Sequence, residues 1–302
     1  MPGAETVRLR AGFAIAAAAL AVVGVAICQA LAAPEPAAWA GAVTIGSLSL
    51  LLGLGALPLI GAEPSVRVIV GAGAMWGVAS VIGGWLQVAD RIGVSPFEVG
   101  VGDLTTGVQT GLPVLVGAVG SLAVLGWGYA ALRAEPPVLL VSVIAGLGVL
   151  AVSVTGHGGE SVWTPVFLAV HSICAAWWAG TLAALVVTVR GKGGWARTLP
   201  EFSRWAMPAV GALTVTGVVA AAVQLGVGPQ LWETGYGRIL VAKAVLLAVA
   251  LALAWWHRRS WLPRARRHGV SERESIVRAG TEVLVLALIL GLAAGLATTG
   301  TG

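Results

Sequence analysis

Charge is scarce in this 302-residue chain: only 10% of its residues are Asp, Glu, Lys or Arg. A soluble domain carries about 25%. Methionine (3), cysteine (2) and histidine (4) are scarcer still. Two cysteines cannot build a disulfide framework, and three methionines cannot line a thioether pore for Cu(I). Several catalytic signatures are missing as well. The chain has no Gly-rich loop ending in Gly-Lys-Ser/Thr, no Cys-Pro-Cys, no His-Glu-x-x-His and no Gly-x-Ser-x-Gly, so nothing in it points to ATP hydrolysis, zinc proteolysis or a serine hydrolase. What fills the chain instead is apolar: 58% hydrophobic residues and a mean hydropathy of +0.92. That balance excludes a soluble enzyme, a disordered tail and a nucleic-acid-binding domain. Glycine numbers 43, which suits closely packed transmembrane helices.

A bilayer core of about 30 Å takes roughly 20 apolar residues of helix. Nine segments meet that length: 11–33, 38–61, 66–88, 109–132, 137–156, 163–189, 205–226, 237–257 and 276–297. They are too long and too evenly apolar for barrel strands. The expected fold is therefore all-α, a polytopic integral membrane helix bundle of about nine spans. The count is eight if the first is a cleaved signal, since Ala30-Leu31-Ala32-Ala33 resembles a peptidase site. The apolar run before it is longer than a signal peptide needs, which favours a retained helix.

With the N-terminus inside, the connections alternate. Fifteen of the eighteen basic residues then fall on the inner side, and only Arg91, Arg238 and Lys243 fall outside or near the outer end. The positive-inside rule fixes this orientation, and the net charge of +5 becomes a record of topology that requires no nucleic acid. The expected location is a bacterial-type cell (inner) membrane, with the N-terminus cytoplasmic and the C-terminus outside. The cluster from His257-Arg258-Arg259 to Arg267-His268 reads as an inner-face anchor to lipid headgroups.

An ionisable group at mid-bilayer costs about 2.5–3.5 kcal/mol or more, so each one needs a reason. His171 stands roughly 12 Å below the outer surface, with Cys174 and Trp178 on the same helix face. Imidazole with thiolate suits a soft or borderline metal such as copper. The alternative is a histidine hydrogen-bonded to a neighbouring helix beside a small apolar cysteine. His157, in Thr155-Gly156-His157-Gly158-Gly159-Glu160, sits at the outer mouth between spans five and six. There flexible glycines would let it approach His171, with Cys174 or Glu160 as a third ligand. Glu282 lies early in the last span, and Arg278 can pair with it at i,i+4. Lys243 either snorkels outward or serves the interior. A haem- or quinone-linked electron carrier using the same histidines is the competing class.

The second half of the chain resembles the copper resistance protein D (CopD) family over about residues 137–300. The resemblance rests on blocks in order: Thr155-Gly156-His157-Gly158; His171 with Trp177, Trp178 and Gly180; Phe202-Ser203-Arg204 leading to Thr216-Gly217-Val218; Tyr236-Gly237-Arg238 with Lys243; and Glu282. It divides the chain into residues 1–135, four spans of unassigned role, and 136–302, a CopD-like five-helix region. It implies a copper-handling membrane protein, not an enzyme, that imports copper from an outer-face CopC-type carrier or delivers it for metalloenzyme assembly. It implies His157 and His171 as metal ligands and draws Lys243 and Glu282 towards a pathway or charge-compensating role, while Cys174, which stands where the family carries an alanine-like residue, is a third metal ligand by its chemistry beside His171 alone. Thr181, Thr214, Thr216 and Gln224 are the candidate polar steps further in.

Overall fold

The apolar runs fold as the sequence predicts, into nine long helices. The structure is a computed structural model, described here for residues 2–100, 102–103, 111–154, 164–225 and 229–299. The helices are α1 (Pro2–Ala32), α2 (Ala38–Ala56), α3 (Val66–Ile92), α4 (Leu112–Ala130), α5 (Leu139–Val154), α6 (Thr164–Thr188), α7 (Gly191–Leu225), α8 (Gly235–Ser260) and α9 (Glu272–Leu296). Every regular element among the described residues is helical. Eight of the nine helices are long and apolar enough to cross a membrane. The exception, α5, has 16 described residues, about 24 Å of helix. The chain is a multi-pass membrane protein.

Several helices run past the expected spans, and at the basic end the reason is readable. Residues 190–204 were expected to be a basic connection, yet α7 begins at Gly191 and runs for 35 residues. Trp195, Leu199 and Phe202 recur at helical spacing and are all buried. This amphipathic first part packs Trp195 against Trp261, with ring centroids 5.8 Å apart. Its charged residues lie on other faces, so polarity there marks one side of a helix and not a break in it. At the other end of α8 the helix continues past position 257 to Ser260, carrying the basic residues with it.

The helix α2 is the hub, packing on α3, α5, α6 and α9. Its contact with α6 is backbone to backbone: a methyl group at Gly53 would lie 2.1 Å from the Gly180 carbonyl carbon, and one at Gly180 would lie 1.6 Å from the Ser49 carbonyl oxygen. Close approach through small residues is how helices gain dispersion energy where lipid removes the hydrophobic drive. The helix α1 lies along α9 in the same manner, with Gly291 against the Ala21 carbonyl. Ser142 Oγ donates to the Leu52 carbonyl at 2.6 Å and ties α5 to the hub.

The contacts gather the helix ends into two groups. At the basic end, Arg10 of α1 is 5% exposed. It donates to the carbonyls of Val186 and Val189 at the C-terminus of α6, the latter at 2.6 Å, and pairs with Glu272 at the N-terminus of α9, also at 2.6 Å. Arg197 of α7 donates to the Gly61 carbonyl just beyond α2 at 3.1 Å. At the opposite end, Glu35 N donates to Thr298 O at 3.3 Å, and Arg238 reaches the Leu31 carbonyl at 3.3 Å. The up-and-down alternation read from the sequence is thus the observed arrangement.

Arg10 caps one helix and bridges to another, which gives it a measurable weight. Replacing it with leucine should lower stability by about 2–3 kcal/mol, since hydrogen bonds to charged groups are worth about 1.5–3 kcal/mol. Lysine should recover less than half of that, because a single ammonium cannot serve three acceptors in a fork. Thermal unfolding in detergent checks both.

Candidate functional site

His171 projects from α6 towards α7, and α7 makes room for it. A methyl group at Gly217 would stand 2.9 Å from His171 Cε1, so a side chain there would displace the ring. His171 Nδ1 lies 3.0 Å from the Leu213 carbonyl oxygen and 3.4 Å from Thr216 Oγ1. The Thr216 hydroxyl donates its own proton to the Ala212 carbonyl at 2.6 Å, so towards the ring it can only accept. Both neighbours of Nδ1 are therefore acceptors, and Nδ1 is the nitrogen that carries the proton. The lone pair is left on Nε2. A backbone carbonyl holding one ring nitrogen is the arrangement by which proteins orient a histidine whose other nitrogen binds a metal. It also realises the alternative of a helix-to-helix hydrogen bond: one nitrogen serves packing and the other stays available.

Cys174 follows one turn along α6 and is half-buried against the main core. His157 and Glu160 lie outside the described residues. Among the described residues no group of three His, Cys, Asp or Glu side chains gathers in one place. His171 and Cys174 thus form at most two thirds of a three-ligand set.

Lys243 enters from α8. Its charge lies within Coulombic range of both His171 and Cys28, and Cys28 of α1 is fully buried with its Sγ 3.6 Å from the Leu292 carbonyl. Lys243 is half-buried on α8. The proposed polar steps sort themselves by geometry. Thr214 and Thr216 turn their hydroxyls onto their own helix, to Val210 O at 2.8 Å and Ala212 O at 2.6 Å. Thr181 is fully buried and its hydroxyl has no partner among the described residues. The Gln224 side chain lies outside the described residues.

The second polar centre is at the basic end, and half of it was misread. Glu282 does not pair with Arg278. It pairs with Nδ1 of His257 in a buried contact, with Glu282 5% and His257 4% exposed. Arg278 instead meets Glu274 at 2.9 Å and reaches the Ser260 hydroxyl at 3.2 Å. Its long side chain turns back towards the helix end and water, as arginine does near a membrane boundary, while the short Glu282 stays inside facing α8. The headgroup-anchor reading of His257 is corrected with it: its ring is stacked 5.2 Å from Trp256 and edge-on 5.7 Å from Trp261. His268, by contrast, is exposed. The missed residue had a legible signal. His257 falls seven residues after buried Ala250 on α8, so it shares that helix's inward face. Its neighbours Arg258 and Arg259 point elsewhere, Arg258 to the Ser203 hydroxyl at 2.6 Å.

No curated protein and no solved structure matches the chain. Residues 196–296 match the family Copper resistance protein D, CopD. The CopD match spans most of α7, all of α8 and the basic connection, and α9 to its last residue. It begins later than the resemblance read from sequence motifs, which started near residue 137. Thr216-Gly217, Lys243, His257 and Glu282 lie inside the CopD part; His171 and Cys174 lie just before it, on the helix that packs against it. The chain is accordingly a multi-pass membrane protein whose C-terminal third is similar to a copper resistance family.

Proposed function

We propose that this protein carries copper inward across the membrane and that His171 takes the ion as it leaves water. The observation that supports this most is the hydrogen bonding of Nδ1, which leaves Nε2 as the ring's donor atom. Copper is the cargo, and imidazole replaces water around it. His157 at the mouth and Cys174 one turn deeper are the remaining ligands. Lys243, near His171, and Glu282 with His257 at the basic end supply charge compensation along the path, with Thr181 between helices as a weak polar step. The basic end faces the cytoplasm of a bacterial-type cell, so the ion comes from the opposite face, where a CopC-type carrier would release it. The chain acts as a carrier and not as a catalyst, and copper follows its gradient or the membrane potential.

His171→Asn is the sharp test. Asparagine can still donate to the Leu213 carbonyl but has nothing in place of Nε2. Copper affinity of the purified protein should fall at least about tenfold, given that even loss of an outer-shell partner costs about 10–100-fold, while thermal stability stays near that of the parent. Uptake into proteoliposomes should fall with it. Undiminished copper occupancy in His171→Asn would sink the site.

A further inference from the structure

A cavity of about 580 Å³ opens at the basic end, between the α2–α3 connection and the turn from α6 into α7. Its first wall lies outside the CopD match, while Arg197 and Thr198 of its second wall lie inside it. The charge around it is one-sided. Two guanidinium groups, Arg190 and Arg197, line it against the single carboxylate of Glu63, and among the described residues Glu63 pairs with neither. Arg197 is held across the cavity: its Nε donates to the Gly61 carbonyl at 3.1 Å, and its stem lies 3.9 Å from the Gly61 Cβ position. The two terminal nitrogens of its fork have no described partner. Arg190 makes no hydrogen bond or ion pair with any described residue, and the charge within its Coulombic range is the like charge of Arg10. The backbone carries the same sign. The N-termini of α3, at Ser65, and of α7, at Gly191 with φ +67°, both open here, and each presents the positive end of a long helix. The C-terminus beside them, that of α6, has its Val186 and Val189 carbonyls taken by Arg10. Side chains and dipoles therefore add.

We infer that this cavity holds the phosphate-bearing headgroup of an anionic phospholipid of the inner leaflet, and that the lipid ties the first half of the chain to the CopD part. A phosphate diester accepts from guanidinium forks in their own plane, which suits Arg190 and the free end of Arg197. The Ser65 hydroxyl, which caps no backbone group, is a further donor on the opposite wall. The remaining lining includes Pro64, Val68, Val187 and Val189, an apolar surface that the glycerol and first acyl carbons of a lipid would cover and a free phosphate would not. The place fits as well: basic pockets between spans on the cytoplasmic side are where such headgroups bind. Neither His171 nor the His257–Glu282 pair lines the cavity, so the site is independent of the copper path.

Native mass spectrometry and thermal unfolding of the intact protein in neutral detergent, with phosphatidylglycerol or phosphatidylcholine added at matched concentrations, test this. One phosphatidylglycerol per chain should bind about tenfold or more tightly than phosphatidylcholine and raise the unfolding temperature. Arg190→Gln with Arg197→Gln should abolish that preference. Arg190→Gln alone should weaken it while leaving the lipid-free unfolding temperature at the parental value, because Arg190 bonds to no described residue. Arg266→Gln with Arg267→Gln removes two exposed charges at the same end but off the cavity and should keep the preference, as should His171→Asn. The inference is overturned by equal binding of the two lipids, by a preference that survives the Arg190 and Arg197 pair, or by one that is lost with Arg266 and Arg267. A rise in unfolding temperature reproduced in full by inorganic phosphate would assign the cavity to a soluble anion and overturn the lipid.

Discussion

A single methyl group added at Gly180 should disable the protein, while one added at Gly46 should stabilise it slightly. Both glycines are helical, and both replacements with alanine gain up to about 1 kcal/mol of helix propensity. The surroundings decide the sign. At Gly46 nothing stands within 4 Å of the new carbon; at Gly180 it would meet the Ser49 carbonyl oxygen at 1.6 Å. The obstacle is main chain on both sides, so no rotamer can relieve it. Helix α2 must move away from α6, and α2 also carries the contacts to α3, α5 and α9. Overpacking typically costs about 1–3 kcal/mol and sometimes more; for a clash with the hub we expect ~3 kcal/mol or above. Gly180→Ala should show a markedly lower unfolding temperature and reduced accumulation in the membrane, with Gly46→Ala equal to or above the parent. Copper binding should fall in Gly180→Ala as well, because His171 stands on the displaced helix.

That contrast marks what a sequence can and cannot display. Nine apolar runs of bilayer length announce nine helices, since lipid demands that each span satisfy its own backbone. Their alternation followed from where the arginines lie, and the convergence of Arg10, Val189 and Glu272 at one end agrees with it. Abundant glycine foretold close packing but not which glycine meets which, because Gly53 and Gly180 are brought together only by the fold. His171 was legible as an ionisable group too deep to be accidental; its tautomer was not, for that depends on Leu213 and Thr216 of another helix. Residues 191–204 were misjudged because charge density was taken to end a helix, when Trp195, Leu199 and Phe202 already traced a buried stripe. His257 was hidden by its neighbours: among Trp256, Arg258 and Arg259 it resembles an interfacial anchor, and only its register with Ala250 gives it away.

The His257–Glu282 pair should separate stability from transport. It is buried between α8 and α9 and backed by Trp256 and Trp261. Removing one partner leaves the other without its hydrogen bond in an apolar setting, which for buried pairs costs about 3–5 kcal/mol. Glu282→Leu and His257→Leu should each lose about that much. The double variant should recover most of it, because an apolar pair of similar volume replaces a buried ion pair at little cost and sometimes with a gain. The coupling from the double-mutant cycle should therefore be large and favourable. Were the pair structural only, the recovered double variant would also move copper at the parental rate. As charge compensation at the inner end of the path, it cannot be replaced by leucine. The stable double variant should bind copper at His171 with unchanged affinity and yet pass it into proteoliposomes at about one tenth of the parental rate or less, a barrier increase of about 1.4 kcal/mol or more. Binding and passage would then be lost at different residues: binding at His171 near one end of the bundle, and passage at Glu282 near the other.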